Sequence, residues 1–211
     1  MLHVDITKQM DHFTLDVQFY VGREIAVLFG PSVAAKSLIL NSVAGLTSLD
    51  NGSIQLGDRL LINKGKPLFP IHTFNIGYMF QDYALFPHMT VWNNIAYGMK
   101  DKPFAEQLLK QLEIAHLRDK YPHEISGGEK QRVALIRAFA MKPDLLLLDE
   151  PFAALDDDNR RKSREQLLEV HRQWKIPLIM VTHSREDARV IGDKVIYIER
   201  GKLIEEICLK D

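Results

Sequence analysis

A single cysteine in 211 residues, Cys208, excludes an internal disulfide framework and is compatible with a reducing compartment. No stretch approaches the ~18 uninterrupted apolar residues that a membrane span requires. The N-terminus has no basic segment followed by a long apolar run, so no secretory signal is read there. Neither sign of charge dominates: 27 Lys and Arg stand against 28 Asp and Glu, a formal net charge of −1. That balance gives no reason to expect nucleic acid or an anionic membrane surface as a partner. Internal repeats and low-complexity segments are absent. What remains is an ordinary soluble globular composition, 46% hydrophobic and 26% charged, enough for one domain or one domain with an inserted lobe.

The apolar pattern changes period along the chain. Val4 and Ile6, then Phe13, Leu15, Val17 and Phe19, alternate as two half-buried strands joined by a polar turn. Residues 25–29, 145–148 and 178–181 are short continuous apolar runs suited to strands buried on both faces. Residues 52–62 read as a strand pair with turn signals at Gly52, Gly57 and Asp58. Residues 76–80 form another short strand, and 195–204 a closing hairpin around Arg200-Gly201. Helical patterns are expected over 36–46, over 90–142 with breaks at Pro103 and Pro122, and over 159–174. Buried strands alternating with helices argue for an α/β fold with a mainly parallel sheet. An N-terminal antiparallel β-subdomain and a helical subdomain inserted at about 85–135 complete the expected architecture.

Glycine is also missing from two particular places. Gly30-Pro31-Ser32-Val33-Ala34-Ala35-Lys36-Ser37 has the strand, tight loop, Lys-Ser, helix layout that lets backbone N–H groups surround phosphates at a helix N-terminus. Lys36 would reach the terminal phosphates, and the Ser37 hydroxyl would ligate Mg²⁺. Ala35 occupies the second glycine of G-x-x-x-x-G-K-[ST], and Val33 another place where such loops commonly carry glycine. Glycine is favoured there because the backbone tends to positive φ. A β-branched valine at positive φ is an outlier, and such strain costs about 1–3 kcal/mol per residue. The cost falls on affinity if binding must impose the loop's shape, and on stability if the loop keeps that shape unliganded. Taken alone, the segment reads equally as a plain strand-to-helix turn.

Asp149 and Glu150 end an apolar strand, where side chains emerge at the carboxyl edge of the sheet. Asp149 suits a Mg²⁺ ion, directly or through water, and Glu150 could polarise an attacking water. An Asp-Glu-Pro helix cap without chemistry is the plain alternative. His183 follows residues 178–182 in the same way, and Gln81 follows 76–80. Either, alone, is as well explained as a structural polar residue at a strand end. Ser126-Gly127-Gly128, before a helix expected over 129–141, offers free N–H groups and a hydroxyl, a second anion site or a simple N-cap and turn. Asp156, Asp157 and Asp158 followed by Arg160, Arg161, Lys162 and Arg164 read as a solvated helix face, with Leu167, Leu168 and Val170 as its core side. Tyr83 to Met89 is an aromatic, proline-containing loop whose apolar density suggests protein docking as well as core packing.

Together, Gly30 to Ser37, Gln81, Ser126 to Gln131, Leu145 to Glu150, Ala154-Leu155-Asp156 and His183 resemble, in order and approximate spacing, the ATPase subunits of ATP-binding-cassette transporters. The run Gln81 to His88 followed by Asn94-Ile95-Ala96-Tyr97-Gly98 is similar to bacterial importers of the molybdate/tungstate type. The resemblance implies one nucleotide-binding domain over 1–211 with the P-loop NTPase (RecA-like) fold; the C-terminal regulatory domain that many such importer ATPases carry is not expected, a departure from the family pattern. It implies ATP and Mg²⁺ held by Gly30, Pro31, Ser32, Val33, Ala34, Ala35, Lys36, Ser37, Leu38 and Gln81, with Ser37, Gln81 and Asp149 on the metal. Glu150, His183 and Lys36 would be catalytic. Ser126, Gly127, Gly128, Glu129 and Gln131 would contact the nucleotide of a second copy in a homodimer bridged at Asp156. The segment from Asp82 to Met89 would meet integral membrane permease subunits, with an extracytoplasmic solute-binding protein acting indirectly and no nucleic acid. The place implied is the cytoplasmic face of the membrane, and the cargo a molybdate/tungstate-like oxyanion. A dimerising subunit with impaired hydrolysis, through Val33 and Ala35, is the alternative. Phe13 is the nearest aromatic to an adenine-stacking place, although its alternation with Leu15 favours the core.

Overall fold

The computed structural model describes the chain except Ser32 and Asp211, and except the side chains of Val33 and Ala34. Alternation builds the N-terminal strands. In β1 (Leu2–Gln9) and β2 (Thr14–Val21), Leu2, Val4, Ile6, Leu15, Val17 and Phe19 point inward while their neighbours face solvent. β1 pairs antiparallel with β2 on one side and with β4 (Asn51–Leu56) on the other; β5 (Arg59–Asn63) and the short β6 (Lys66–Pro67) extend that edge.

The continuous apolar runs become central strands covered on both faces. In β3 (Ile25–Phe29), Ile25 and Val27 enter one core cluster, Ala26 and Leu28 the other. β8 (Leu145–Asp149) divides Leu146 and Leu148 from Leu145 and Leu147 in the same way, and β9 (Leu178–Val181) divides Leu178 and Met180 from Ile179 and Val181. A period of two with both faces buried is what makes these segments apolar throughout. Helix α1 (Val33–Val43) supplies Ala35, Ile39, Leu40 and Val43 to one cluster.

The opposite face is covered by helices. After β7 (Ile76–Met79) come α2 (Val91–Ala96), capped by Thr90, then α3 (Lys102–Gln111), capped by Asp101 with Pro103 in its first turn, and α4 (Gly127–Ala140). α5 (Asp157–Trp174) contributes Leu167 and Val170, and α6 (Arg185–Ile191) contributes Ala188 and Ile191. Trp174 is half-buried between the rings of Phe104 and Phe139. The hairpin β10 (Lys194–Glu199) and β11 (Lys202–Cys208) closes the chain.

The expected antiparallel β-subdomain is present as β6-β5-β4-β1-β2 and continues into the parallel strands: the order β6-β5-β4-β1-β2-β11-β10-β3-β9-β8-β7 makes one eleven-stranded sheet among the described residues. β11 joins the halves, antiparallel to β10 and parallel to β2 at Lys202 and Asp16, where the Asp16 N–H donates to the Gly201 carbonyl at 2.8 Å. Helix α1 starts at Val33 rather than Lys36, because with alanines at 34 and 35 nothing in the sequence breaks the helix there.

Candidate functional site

Sheet register assembles the site. β10, β3, β9, β8 and β7 run parallel, and Val181 pairs with Leu28 on one side and Asp149 on the other. The residues following these positions, Gly30, Glu150 and His183, therefore leave the sheet along one carboxyl edge. Glycine is required at 30: its φ is 148°, and a Cβ would lie 2.0 Å from the Ile198 carbonyl oxygen.

Lys36, in the first turns of α1, is fully buried and donates from Nζ to the Gly30 carbonyl at 2.6 Å. Burial lowers its pKa, opposed by the charges of Glu150 and Asp149. The Asp149 carboxyl is raised chiefly by burial, while a hydrogen bond from the Ser37 hydroxyl lowers it; Glu150 then pushes it up and Lys36 down. Asp149 Oδ1 and Glu150 Oε1 are buried with no hydrogen-bond partner among the described residues. Orphaned buried carboxylate oxygens are costly in a finished core. Glu150 takes a left-handed φ of 48°, a strained conformation for a non-glycine residue. Its Oε2 lies 2.9 Å from His183 Nδ1, and the His183 side chain is 65% exposed. A buried acid thus touches an open imidazole.

The donor set fits a magnesium ion. A hydroxyl, Ser37, and a carboxylate with an unused oxygen, Asp149, are hard oxygen ligands already in contact. Mg²⁺ is commonly held by one or two protein groups, with water and phosphate completing its shell. No cluster of three or more His, Cys, Asp or Glu residues with metal-binding geometry occurs among the described residues.

The phosphate loop differs from expectation. Ser32 lies outside the described residues, as do the side chains of Val33 and Ala34. Ala35 is fully buried inside α1 and is absent from the positive-φ residues, so the strain expected at that position does not arise. Right-handed helical backbone suits alanine better than glycine. Leu38 is half-buried against the α1 core, Pro31 is exposed, and Gln81, beyond the end of β7, is exposed.

Ser126 and Asp156 belong to a second cluster. Ser126 caps α4: its Oγ accepts from the Glu129 N–H at 3.4 Å, and Glu129 Oε2 accepts from the Ser126 N–H at 2.7 Å. Gly127 and Gly128 follow in the first turn, and a Cβ on Gly128 would sit 3.5 Å from Leu155. Asp156 caps α5 through both carboxylate oxygens on Asn159. Gln131 differs from its neighbours: it is fully buried and accepts from the Ser163 hydroxyl at 3.0 Å.

Two functional candidates carry no motif in the sequence. Arg137 of α4 donates to the Tyr83 and Ala84 carbonyls, each at 2.7 Å, where both residues have positive φ. Arg164, expected on a solvated face, has a side chain only 7% exposed and pairs with buried Asp187. Its spacing from Leu167 and His171, three and seven residues on, was the available signal. Phe13 is half-buried beside Gly201.

A family model described as ABC transporter matches residues 14–153. Over its whole length the chain is 39% identical to the molybdate/tungstate import ATP-binding protein WtpC of Archaeoglobus fulgidus, covering 88% of that protein. It is 39% identical to the Fe(3+) ions import ATP-binding protein FbpC 2 of Haemophilus influenzae, with 90% of this chain but 56% of the relative covered. The chain thus spans little more than half of that second relative. Among solved structures, a dimeric ATP-binding cassette, MJ0796, in a post-hydrolysis state bound to ADP and Pi superposes with a TM-score of 0.84 at 26% identity, both chains fully covered.

Proposed function

The chain belongs to the ABC transporter family as an ABC-type ATPase, and on that premise we propose that it is the ATP-binding, energy-coupling subunit of an importer. The observation that carries this is the strand-tip cluster: buried Lys36 and neighbouring Ser37 face Asp149 and Glu150, whose unpartnered oxygens point to missing ligands. Lys36 exchanges its bond to the Gly30 carbonyl for a phosphate oxygen, neutralising charge in a water-poor site. Ser37 and Asp149, with Gln81 at the rim, hold Mg²⁺, which when bound offsets negative charge on the phosphates. Glu150 keeps one oxygen free to accept the proton of the attacking water, and its other oxygen bonds His183. His183, largely exposed, is placed to donate to the terminal phosphate. Residues 30–38 form the rest of the phosphate cradle.

Several finer features belong to the same reading. A second copy supplies Ser126, Gly127, Gly128 and Glu129 to the nucleotide, and Asp156 lies at the two-fold contact. The whole of 1–211 acts as one nucleotide-binding domain, with about 85–135 as its helical part. The surface for permease subunits is the segment from Asp82 to Met89 and the adjoining apolar cavity of about 470 Å³, lined by Tyr78, Phe80, Phe86, Tyr97 and Met141 with Arg137 at its edge. The protein sits peripherally on the cytoplasmic face; no helix among the described residues is long and apolar enough to cross a membrane. A molybdate- or tungstate-like oxyanion is the preferred cargo on the strength of the archaeal relative, reached through a solute-binding protein. The alternative of a subunit crippled by Val33 and Ala35 finds no support: Ala35 is helical and unstrained, and the relatives are import ATP-binding proteins.

Mg²⁺-dependent ATP turnover by the purified chain, rising with protein concentration as copies pair, is the expected result. Nucleotide binding without turnover at any concentration, even with Mg²⁺ saturating, refutes hydrolysis. Uptake of labelled molybdate by cells that depends on the chain tests the cargo separately.

A further inference from the structure

Helix α5 touches both halves of the site through two adjacent residues. Ser163, 1% exposed, donates its hydroxyl proton to Gln131 of α4, the helix that opens at Ser126. Arg164, about 100° further round the helix, meets α6 instead. Its Nε donates to Asp187 Oδ1 at 2.7 Å, and Nη1 donates to Glu186 Oε1 at 2.8 Å on α6. The Asp187 side chain is only 4% exposed, whereas that of Glu186 is 70% exposed, so the buried half of this triad is Arg164 with Asp187.

Asp187 continues the chain to His183 from both sides. Its Oδ2 accepts from the Thr182 hydroxyl at 3.2 Å, and that same hydroxyl accepts from the Ser184 N–H at 3.1 Å. The Ser184 hydroxyl in turn accepts from the Asp187 N–H at 3.2 Å. The residue before His183 is therefore fastened to the Asp187 carboxylate, and the residue after it to the Thr182 hydroxyl and the Asp187 backbone N–H, while that carboxylate is fastened to α5. His183 itself is mostly exposed, and its ring bonds Glu150. Holding the backbone of this turn fixes the point from which the imidazole reaches Glu150, and the bond to Glu150 selects the rotamer.

We propose that the buried Arg164–Asp187 pair is the positioning device for His183, and that α5 ties the His183 turn to the Ser126 helix through Ser163 and Gln131. The inference rests on the ATPase reading for its catalytic consequence, but not for its geometry. Arg164 and Asp187 touch neither nucleotide nor Glu150 and act through the imidazole alone. A purely structural pair of this kind can often be replaced by apolar groups of similar volume with no loss of stability; for a positioning pair the same replacement lowers turnover.

The test removes both charges at once, Arg164→Met with Asp187→Leu, so that no buried ion is left unpaired. Turnover, KM for MgATP, thermal midpoint and the ring ¹⁵N resonances of His183, assigned with His183→Gln, are measured on the intact chain. We expect kcat to fall on the order of tenfold with KM within twofold, the midpoint to hold, and the His183 resonances to move away from their wild-type positions. Unchanged kcat, or a fall in kcat with unmoved His183 resonances, overturns the proposal. If the double variant does not fold, Thr182→Val, which keeps both charges and cuts the link at the hydroxyl, decides the matter by the same readouts. Should the wild-type chain show no turnover, the ATPase reading fails, and the His183 resonances alone decide the positioning.

Discussion

The strand-tip cluster around Lys36 and Asp149 and the cap cluster around Ser126 and Asp156 are opposite kinds of polar site. In the first, groups are buried and unfinished: Asp149 Oδ1 and Glu150 Oε1 lack partners, and Glu150 is held at positive φ. In the second, groups are exposed and satisfied, with Ser126 and Glu129 closing a reciprocal cap and Asp156 bonded twice to Asn159. An unfinished buried site implies its ligand from one chain alone. A satisfied surface cap implies nothing beyond a helix start until another surface meets it.

The comparison breaks first at Glu150. Glu150→Gln keeps size and burial but removes the proton acceptor, so turnover should drop about 10²- to 10³-fold with nucleotide affinity retained, as read by turnover and equilibrium binding. A variant with more than a tenth of wild-type activity would remove Glu150 from the chemistry. Ser126→Ala addresses the other cluster. Loss of the cap costs about 1 kcal/mol of stability, visible in denaturant unfolding; a further drop in turnover of about tenfold is expected only if a second copy uses the hydroxyl. Stability loss with turnover intact would leave Ser126 as a cap and nothing else.

Smaller effects sharpen the picture of the first cluster. Ala35→Gly should destabilise the chain by about 0.5–1 kcal/mol, because residue 35 is helical; a gain in stability would return position 35 to a strained loop. Asp149→Asn carries a pH signature. Burial raises the folded-state pKa above the ordinary 3.8, so the folded form binds the proton more tightly than the unfolded form. The stabilisation this gives is fully present below 3.8 and is lost as pH rises through the raised value. In metal-free protein, the asparagine variant should therefore melt a few degrees above wild type near neutral pH, the gap closing on acidification. Magnesium with nucleotide should reverse the order; a gap independent of pH would mean Asp149 is not held in a desolvated site.

Local sequence dictates much of this architecture. Leu145 to Leu148 announced a strand buried on both faces because no residue in it can tolerate water. Ser126 and Asp156 announced helix starts because caps are local chemistry. Arg164 was not legible from its charged neighbours: Asp157, Asp158, Arg161 and Lys162 are exposed or half-exposed, and only the packing of α6 against α5 separates Arg164 from them. The start of α1 was misplaced because Lys36-Ser37 suggested a loop end, whereas alanine at 34 and 35 lets the helix begin at Val33.

By itself the sequence determined most of the strands and longer helices, which of them must be covered, and which acids and bases stand at their ends, but not α6. These follow from propensity, period and capping, all of which act within a few residues. Tertiary structure alone decided the strand order that sets Val181 between Leu28 and Asp149, the joining of the sheet's two halves through β11, and the burial of Lys36 and Arg164. Pairing and desolvation depend on what arrives from far along the chain, which a local spacing such as that of Arg164 and Leu167 hints at but does not fix.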